Sequence, residues 1–205
     1  MSEREIAKHY HALTPDSPAW RALEARGVSP FDRLRANGAD ASGMDLSGIV
    51  LAGYDLSGWN LARTNLASAD LTEAAFTSAN LEGADLSGAQ LYRCRFDRAN
   101  LRDAKFRDAK ANFAVFGGAD ASGADFTGAE LQQTNMVGLR AHGADFSNTD
   151  MYYARPGNAD FQRARFCGAS IMRTIFRRAD LRDADLTDAE GAANFENANL
   201  EGAKR

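Results

Sequence analysis

The stretch ANLEGADLSGAQL, residues 79–91, repeats a simple pattern every five residues. Leu81, Leu86 and Leu91 recur at this spacing, and an alanine stands two positions before each of them. The same register continues without insertion from Ala41 to Gly191 and defines 31 central positions. Of these, 13 are leucine and 9 are phenylalanine, and 25 in all are large and apolar. A repeat held over 150 residues decides the fold.

The period of five fits neither an α-helix, with about 3.6 residues per turn, nor the alternation of a β-strand. It predicts a chain that turns a corner every five residues. The central residue points inward, and so does the small residue two before it, which is alanine at 21 of 31 positions because the interior is narrow. Asp or Asn just before the centre (17 positions) and Gly two after it (12 positions) suit exposed tight turns, with Gly supplying positive φ.

In this pattern, Ala–Asp/Asn–Leu–x–Gly, the chain resembles the pentapeptide-repeat proteins. The resemblance implies an all-β solenoid, a right-handed quadrilateral β-helix with four pentapeptides in each coil. Coils stacked at about 4.8 Å would make about eight coils and a rod roughly 40 Å long around a column of Leu and Phe. We assign this β-helix to residues 39–205.

The two ends differ from the repeat. Residues 1–38 contain Ser-Pro helix starts and glycine stops, which predict a short N-terminal helical cap. This cap either only seals the β-edge or also binds a partner. After Gly191 the register slips by one, so that Phe195 and Leu200 become the centres. The final coil is blunted by the charged residues of EGAKR, or it makes a dimer contact through Phe195 and Leu200.

Residues 20 apart share one side of such a coil, so charge is counted side by side. One side, which we call the acidic face, has the bases Lys105, Arg107 and Arg165 against seven acids. These are Asp45, Asp85, Asp108, Asp125, Asp145, Asp185 and Asp188. Another side, the arginine face, has two acids, Asp55 and Asp97, against five arginines. These are Arg95, Arg98, Arg155, Arg177 and Arg178.

A third side carries large apolar residues at outward positions, and we call them the aromatic stripe. They are Tyr92, Phe113, Tyr152, Tyr153 and Met172. They either cover the core where it is thin, near Ala111, or form a partner surface. In a second alternative, a bulge makes Phe113 rather than Ala111 the centre and turns its ring inward. Pro156, at a central position, cannot donate a ladder hydrogen bond and predicts an irregularity beside the stripe.

Composition narrows the function. A net charge of −4 and a pI near 5.4 argue against a binder of nucleic acid driven by overall basicity. The chain shows no secretory signal and no apolar run long enough for a membrane span, which predicts a cytoplasmic protein. Cys94 takes a small inward position, and Cys167 lies outward with no mark of a nucleophile.

No catalytic, metal-binding or cofactor-binding constellation is found. His9 and His11 do not share a helix face, and His142 stands alone in an outward position. The regular aspartates follow from the turn, and no phosphate-binding loop motif is present. We therefore predict that the protein is not an enzyme and has no cofactor.

The resemblance implies a binding function. Some members of the family are DNA mimics that occupy the DNA-binding site of DNA gyrase or topoisomerase IV and inhibit the enzyme or protect it from quinolones. Members of this kind are dimers joined through their C-terminal ends. Rows of aspartates on the acidic face would stand in for phosphates. The alternative is a general protein–protein interaction scaffold that docks through the aromatic stripe or the arginine face.

Overall fold

The structure is a computed structural model, and it describes residues 38–205. The predicted helical cap at residues 1–38 lies, except for Gly38, outside the described residues. Within the described part no residue is helical, so it holds no helix that could cross a membrane. The chain instead forms single-residue parallel bridges, which recur at every fifth residue from Asp40 to Glu190 and then at Asn194, Asn199 and Lys204.

The bridges show a coil of 20 residues. All but the last three join a residue to the residue 20 positions on, as in Asp40↔Asn60 and Asp45↔Asn65. Four bridges, five residues apart, occur before the chain returns to the same side. The described residues therefore form a four-sided parallel β-solenoid, as the five-residue period predicts.

Each corner is a β-turn that starts at a central residue. At the first corner the carbonyl of Ala41 accepts a hydrogen bond from the N–H of Met44 at 3.2 Å. The residue two after the centre has positive φ, the sign required at the third residue of a type II turn. Glycine fills this place at Gly43, with φ +69°, but 20 residues other than glycine in the described part also have positive φ, Arg63 at +58° among them. This conformation costs about 1 kcal/mol for each such residue, so the ladder bonds must offset it.

The core is a column of stacked side chains, with the predicted centres and small positions inside. Phe126 is fully buried between Phe106 and Phe146, at ring-centroid distances of 4.6 and 4.7 Å. A second stack, Phe96 on Phe116 at 5.1 Å, meets the first edge-on. Because coils are spaced at about 4.8 Å, one ring per coil packs without a gap.

Polar residues at the small inward position bond to the backbone. Thr64 and Thr174 donate from their hydroxyls to the carbonyls of Ala41 and Met151, at 2.9 and 2.7 Å. Cys94 is fully buried there, as predicted, and its Sγ donates to the carbonyl of Leu71. Burial raises the pKa of the Cys94 thiol to about 12, which keeps it protonated and unreactive.

Pro156 interrupts the ladder, as its sequence position predicts. The bridge that would join Arg155 to Ile175 is missing from an otherwise regular series. The N–H of Ile175 still reaches the carbonyl of Ala154 at 2.9 Å, but Pro156 has no N–H to give the carbonyl of Ile175. One side of one coil is therefore held by fewer hydrogen bonds than its neighbours.

The register slip is confirmed, and it removes one residue from the last coil. The final bridges, Ile175↔Asn194, Asp180↔Asn199 and Asp185↔Lys204, each span 19 residues. The five-residue lattice predicts that Gly191 is a buried centre, but the residue is exposed, with φ +101°. A Cβ at this residue would lie 2.7 Å from the backbone nitrogen of Met172, so the corner that absorbs the deletion requires glycine.

We predict that the same truncation costs much more in the middle of the column than at its end. Phe126→Ala removes a ring stacked on both sides and should lower the free energy of unfolding by about 3–5 kcal/mol. Phe195→Ala removes a half-exposed ring that stacks on one side only, on Phe176 at 5.2 Å, and should cost about 1–2 kcal/mol. Denaturant unfolding followed by circular dichroism measures both, and equal losses would contradict the difference between a ring stacked on both sides and a ring stacked on one side.

Candidate functional site

The acidic face is cross-linked by ion pairs that the charge count did not predict. The Nζ atom of Lys105 lies 3.8 Å from Oδ2 of Asp85, and the Nε atom of Arg107 lies 2.5 Å from Oδ2 of Asp125. Arg165 lies 3.4 Å from Asp145. Asp185 is paired at 3.9 Å with Lys204, which the one-residue slip brings onto this face. Four of the seven predicted contact aspartates therefore already have a cation beside them.

The aspartates before each centre also hold the next corner. Asp45 accepts a hydrogen bond from the N–H of Ser47 at 3.1 Å and from the amide of Asn65 at 2.9 Å. The hydrogen bonds of Ser47 lower the pKa of Asp45. Burial raises the pKa of Asp125, but hydrogen bonds from Thr127 and Arg107 outweigh that effect and leave the pKa lowered. These carboxylates are ionised and occupied by local bonds.

Asp108 and Asp188 differ from the other five aspartates of the acidic face. Both take the second outward position, with φ +54° and +58°, and neither makes an ion pair within residues 38–205. The Asp108 carboxylate lies over the next coil, where a Cβ on Gly128 would meet its Oδ1 at 2.4 Å. With Asp45, they are the carboxylates of this face that make no ion pair within residues 38–205, so an approaching cation meets them without displacing another.

The side that borders the acidic face carries a ladder of amides, and we call it the asparagine face. Asn60, Asn80 and Asn100 pass side-chain hydrogen bonds along the rod, beginning at Asp40, with donor–acceptor distances of 2.9–3.1 Å. Its outward positions hold eight acids and five bases, so it too is net negative. The acids are Asp40, Glu82, Asp103, Asp120, Asp160, Asp180, Asp183 and Glu201.

The aromatic stripe is two separate groups rather than one. Tyr92 and Phe113 meet edge-to-face at 5.4 Å on neighbouring coils. The next coil presents Gln132 and Gln133 on the same side, and the second group follows it. Phe113 is 39% exposed with φ +62°, while Ala111 is fully buried, so the alternative of a bulge that turns Phe113 inward is wrong. The backbone accepts Phe at the positive-φ position and needs no bulge.

The second group combines aromatic rings with an arginine. Tyr152 and Tyr153 meet edge-to-face at 4.7 Å, and Tyr153 is 37% exposed. The guanidinium of Arg173, one coil further on, lies 5.1 Å from the centre of the Tyr153 ring and donates a hydrogen bond to its hydroxyl. That bond raises the pKa of Arg173. Met172 beside it is 42% exposed.

Sequence reasoning missed Arg173, although a signal was available. Tyr153 and Arg173 are 20 residues apart, which is the stacking distance along this chain. Arg93 repeats the arrangement locally, since it lies over the ring of Tyr92 at 5.1 Å and pairs with Glu73 at 3.5 Å. Each of the two groups of the aromatic stripe thus has its own arginine.

The arginine face is a basic side in the structure as well, and it gains one acid, Glu196. Arg95 pairs with Asp97 at 3.6 Å. The register slip brings Glu196 onto this face, where it lies 3.6 Å from Arg177. Arg155 and Arg178 make no ion pair within residues 38–205. Together with Arg177 they line a cleft of about 180 Å³ next to Pro156.

The C-terminal end exposes part of the core. Phe195 and Leu200 are half-buried, and no further coil follows them within the described chain. The guanidinium of Arg205 lies 5.6 Å from the centre of the Phe195 ring. In residues 38–205 no group of three or more His, Cys, Asp or Glu side chains could hold a metal ion.

Comparison with known proteins shows that the repeat matches a described family. Residues 60–98, 99–138, 112–151 and 157–189 match the family model described as pentapeptide repeats. Among solved structures, QnrB1, a plasmid-mediated fluoroquinolone resistance protein, is 21% identical over 80% of this chain and 88% of that chain, with a TM-score of 0.40. HetL, involved in heterocyst differentiation regulation in the cyanobacterium Nostoc sp. strain PCC 7120, is 26% identical over 83% and 93%, with a TM-score of 0.28. No curated protein matches the chain.

We predict that acid destabilises the protein below about pH 4. The pKa values of Asp45, Asp120, Asp125, Asp180 and Asp185 are lowered in the folded chain. Their stabilisation is complete above the unfolded value, about 3.9, and is lost as the pH falls through the folded values. Because exposed pairs contribute little, we expect a total loss of about 1–2 kcal/mol.

The measurement is the urea midpoint across a pH series, with Asp125→Asn as the matched variant. Asparagine keeps an acceptor for Thr127 but cannot titrate, so its loss in acid should be smaller than that of the unaltered protein. Identical pH profiles for the two proteins would show that Asp125 does not contribute.

Proposed function

This chain belongs to the pentapeptide repeat family, and we propose that it is a non-enzymatic cytoplasmic protein that binds another protein along the side of its rod. The observation that carries the proposal is the pair of adjoining net-negative sides, the acidic face and the asparagine face. The group of Tyr152, Tyr153, Met172 and Arg173 is the alternative docking surface. Tyrosine and arginine are the residues that most often dominate binding energy at protein interfaces. Here the ring–guanidinium contact fixes them in place, so little side-chain entropy remains to be lost on binding.

For the partner, we propose a type II topoisomerase that this protein engages as a DNA mimic. Support comes from two adjoining net-negative sides, the acidic face and the asparagine face. Carboxylates repeat along both sides at the coil spacing, and a basic groove of a DNA-binding enzyme would be drawn to them. Asp108 and Asp188 would make the first contacts, because the paired aspartates must exchange one cation for another.

A gyrase supercoiling assay tests this partner. Purified protein at about micromolar concentration should inhibit supercoiling or rescue it from a quinolone. Reversal of charge at Asp108 and Asp188 (Asp108→Lys with Asp188→Lys) should weaken the effect about tenfold or more, because it replaces attraction by repulsion where the first contacts form. Tyr153→Ala should leave the effect intact, and each variant is first checked for an unchanged circular dichroism spectrum.

The opposite pattern assigns binding to the aromatic group. If Tyr153→Ala abolishes the effect and the charge reversal does not, DNA mimicry is wrong and the protein is an interaction scaffold that docks through Tyr152, Tyr153 and Arg173. The absence of any effect on gyrase and topoisomerase IV would contradict the topoisomerase proposal altogether.

We also propose that two copies associate through their C-terminal coils. The last described coil leaves Phe195 and Leu200 half-buried, and its backbone groups form a β-edge that a partner can pair with. A second copy in the opposite direction would cover both ends with one two-fold contact. Leu200→Glu would place a charge in that contact, so the sedimentation coefficient should fall from that of a dimer to that of a monomer. A monomeric unaltered protein at about 100 μM would contradict the proposal.

A further inference from the structure

The arginine face contains a stretch with no acidic residue. Over four successive coils, residues 115–118, 135–138, 155–158 and 175–178, this side has three arginines and no Asp or Glu. The stretch extends about 14 Å along the rod, three steps of about 4.8 Å. On the adjoining sides the same coils mix acids with bases. The acids are Glu130 and Asp150 on one side, and Asp120, Asp160, Asp180 and Asp183 on the other. Of these three sides, only this one has arginines and no carboxylate over the four coils.

The arginines stand at one end of this stretch, around the coil that Pro156 interrupts. Arg155, Arg177 and Arg178 line the cleft together with Asn158, Gly157, Val137 and Ile175. Arg155 and Arg178 have no carboxylate within ion-pair distance in residues 38–205, and Glu196 meets only Arg177. Elsewhere on the rod, Arg107, Arg140 and Arg165 are each paired with a carboxylate. Two unpaired guanidinium groups at one cleft are a ready site for an anion.

The rest of the stretch is flat and largely apolar. Gly117, Gly118 and Gly138 have no side chains at the outward positions, and Val137 is 48% exposed. An extended chain can lie close to the backbone here and reach the arginines with its side chains. Val137 and these glycines thus add an apolar contact surface next to the charged cleft.

We propose that this surface binds an extended acidic segment of a partner protein, with carboxylates on Arg155 and Arg178 and the peptide stem along Val137 and the glycines. Charge complementarity selects the ligand class, because only anions compensate two unpaired guanidinium groups. The narrowness of the basic side selects a single peptide. A nucleic-acid duplex would extend past both edges and place its phosphates over the carboxylates of the adjoining sides. This surface is separate from the aromatic group and from the acidic face, so it does not depend on the function proposed above.

The test is a fluorescence anisotropy titration of the full chain against a short labelled peptide of alternating glutamate and alanine. Saturable binding that weakens with added salt is expected. Arg155→Ala and Arg178→Ala should each weaken it about tenfold, the effect of one charge-assisted hydrogen bond. Arg163→Ala is the matched control, since Arg163 is an exposed arginine of the asparagine face that also has no ion pair within residues 38–205, and it should leave the affinity unchanged.

Two further probes decide the ligand class. A peptide of alternating glutamine and alanine should not bind, and single-stranded oligothymidylate should bind more weakly than the glutamate peptide. Arg155→Lys, which keeps the charge next to Pro156, separates loss of binding from loss of folding, because it should retain part of the affinity. No saturable binding, an equal loss in Arg163→Ala, or tighter binding of the oligonucleotide would each overturn the proposal.

Discussion

The structure depends on one constraint, that the chain turns a corner after every fifth residue. Each corner needs positive φ two residues after the centre, and it is closed by a hydrogen bond from the next small residue back to the central carbonyl. This corner geometry directs the central and small side chains toward the interior of the coil. The same corner turns the remaining positions outward, so core and surface are separated at every repeat.

This separation explains how an ordered fold carries an irregular surface. The column of leucine and phenylalanine needs only the inward positions, and ladder bonds from coil to coil use only backbone groups. The outward positions are therefore open to function, and each side has a distinct chemistry: paired carboxylates, tyrosines with arginines, unpaired arginines, and an amide ladder. The distinction matters for binding because a flat, rigid side offers preorganised groups whose ordering cost is already met by the fold.

Much of this architecture is predictable from the sequence, since inward positions repeat with a fixed period. The centres, the buried Cys94, the interruption at Pro156 and the slip before Phe195 all follow from the register alone. Surface contacts do not, because an ion pair such as Arg107 with Asp125 depends on side-chain rotamers that a count of charges ignores. Phe113 shows the same limit. A large ring next to the small central Ala111 suggested a bulge, yet the corner tolerates a ring at positive φ, as it tolerates arginine and aspartate.

The 19-residue coil near Gly191 has a consequence for how such a rod can change in length. Loss of one residue at a corner is absorbed locally, and Asn194 still stacks on Ile175, so every later residue keeps its side. Loss or gain of a whole pentapeptide would fit the core perfectly and yet turn all later residues by a quarter of a coil. After a gain the tyrosines would lie on the side of the arginine face, and after a loss on the side of the acidic face. For this fold, a gain or loss of five residues preserves stability but changes which residues share a side. Insertion of four repeats instead lengthens the rod and keeps each side aligned.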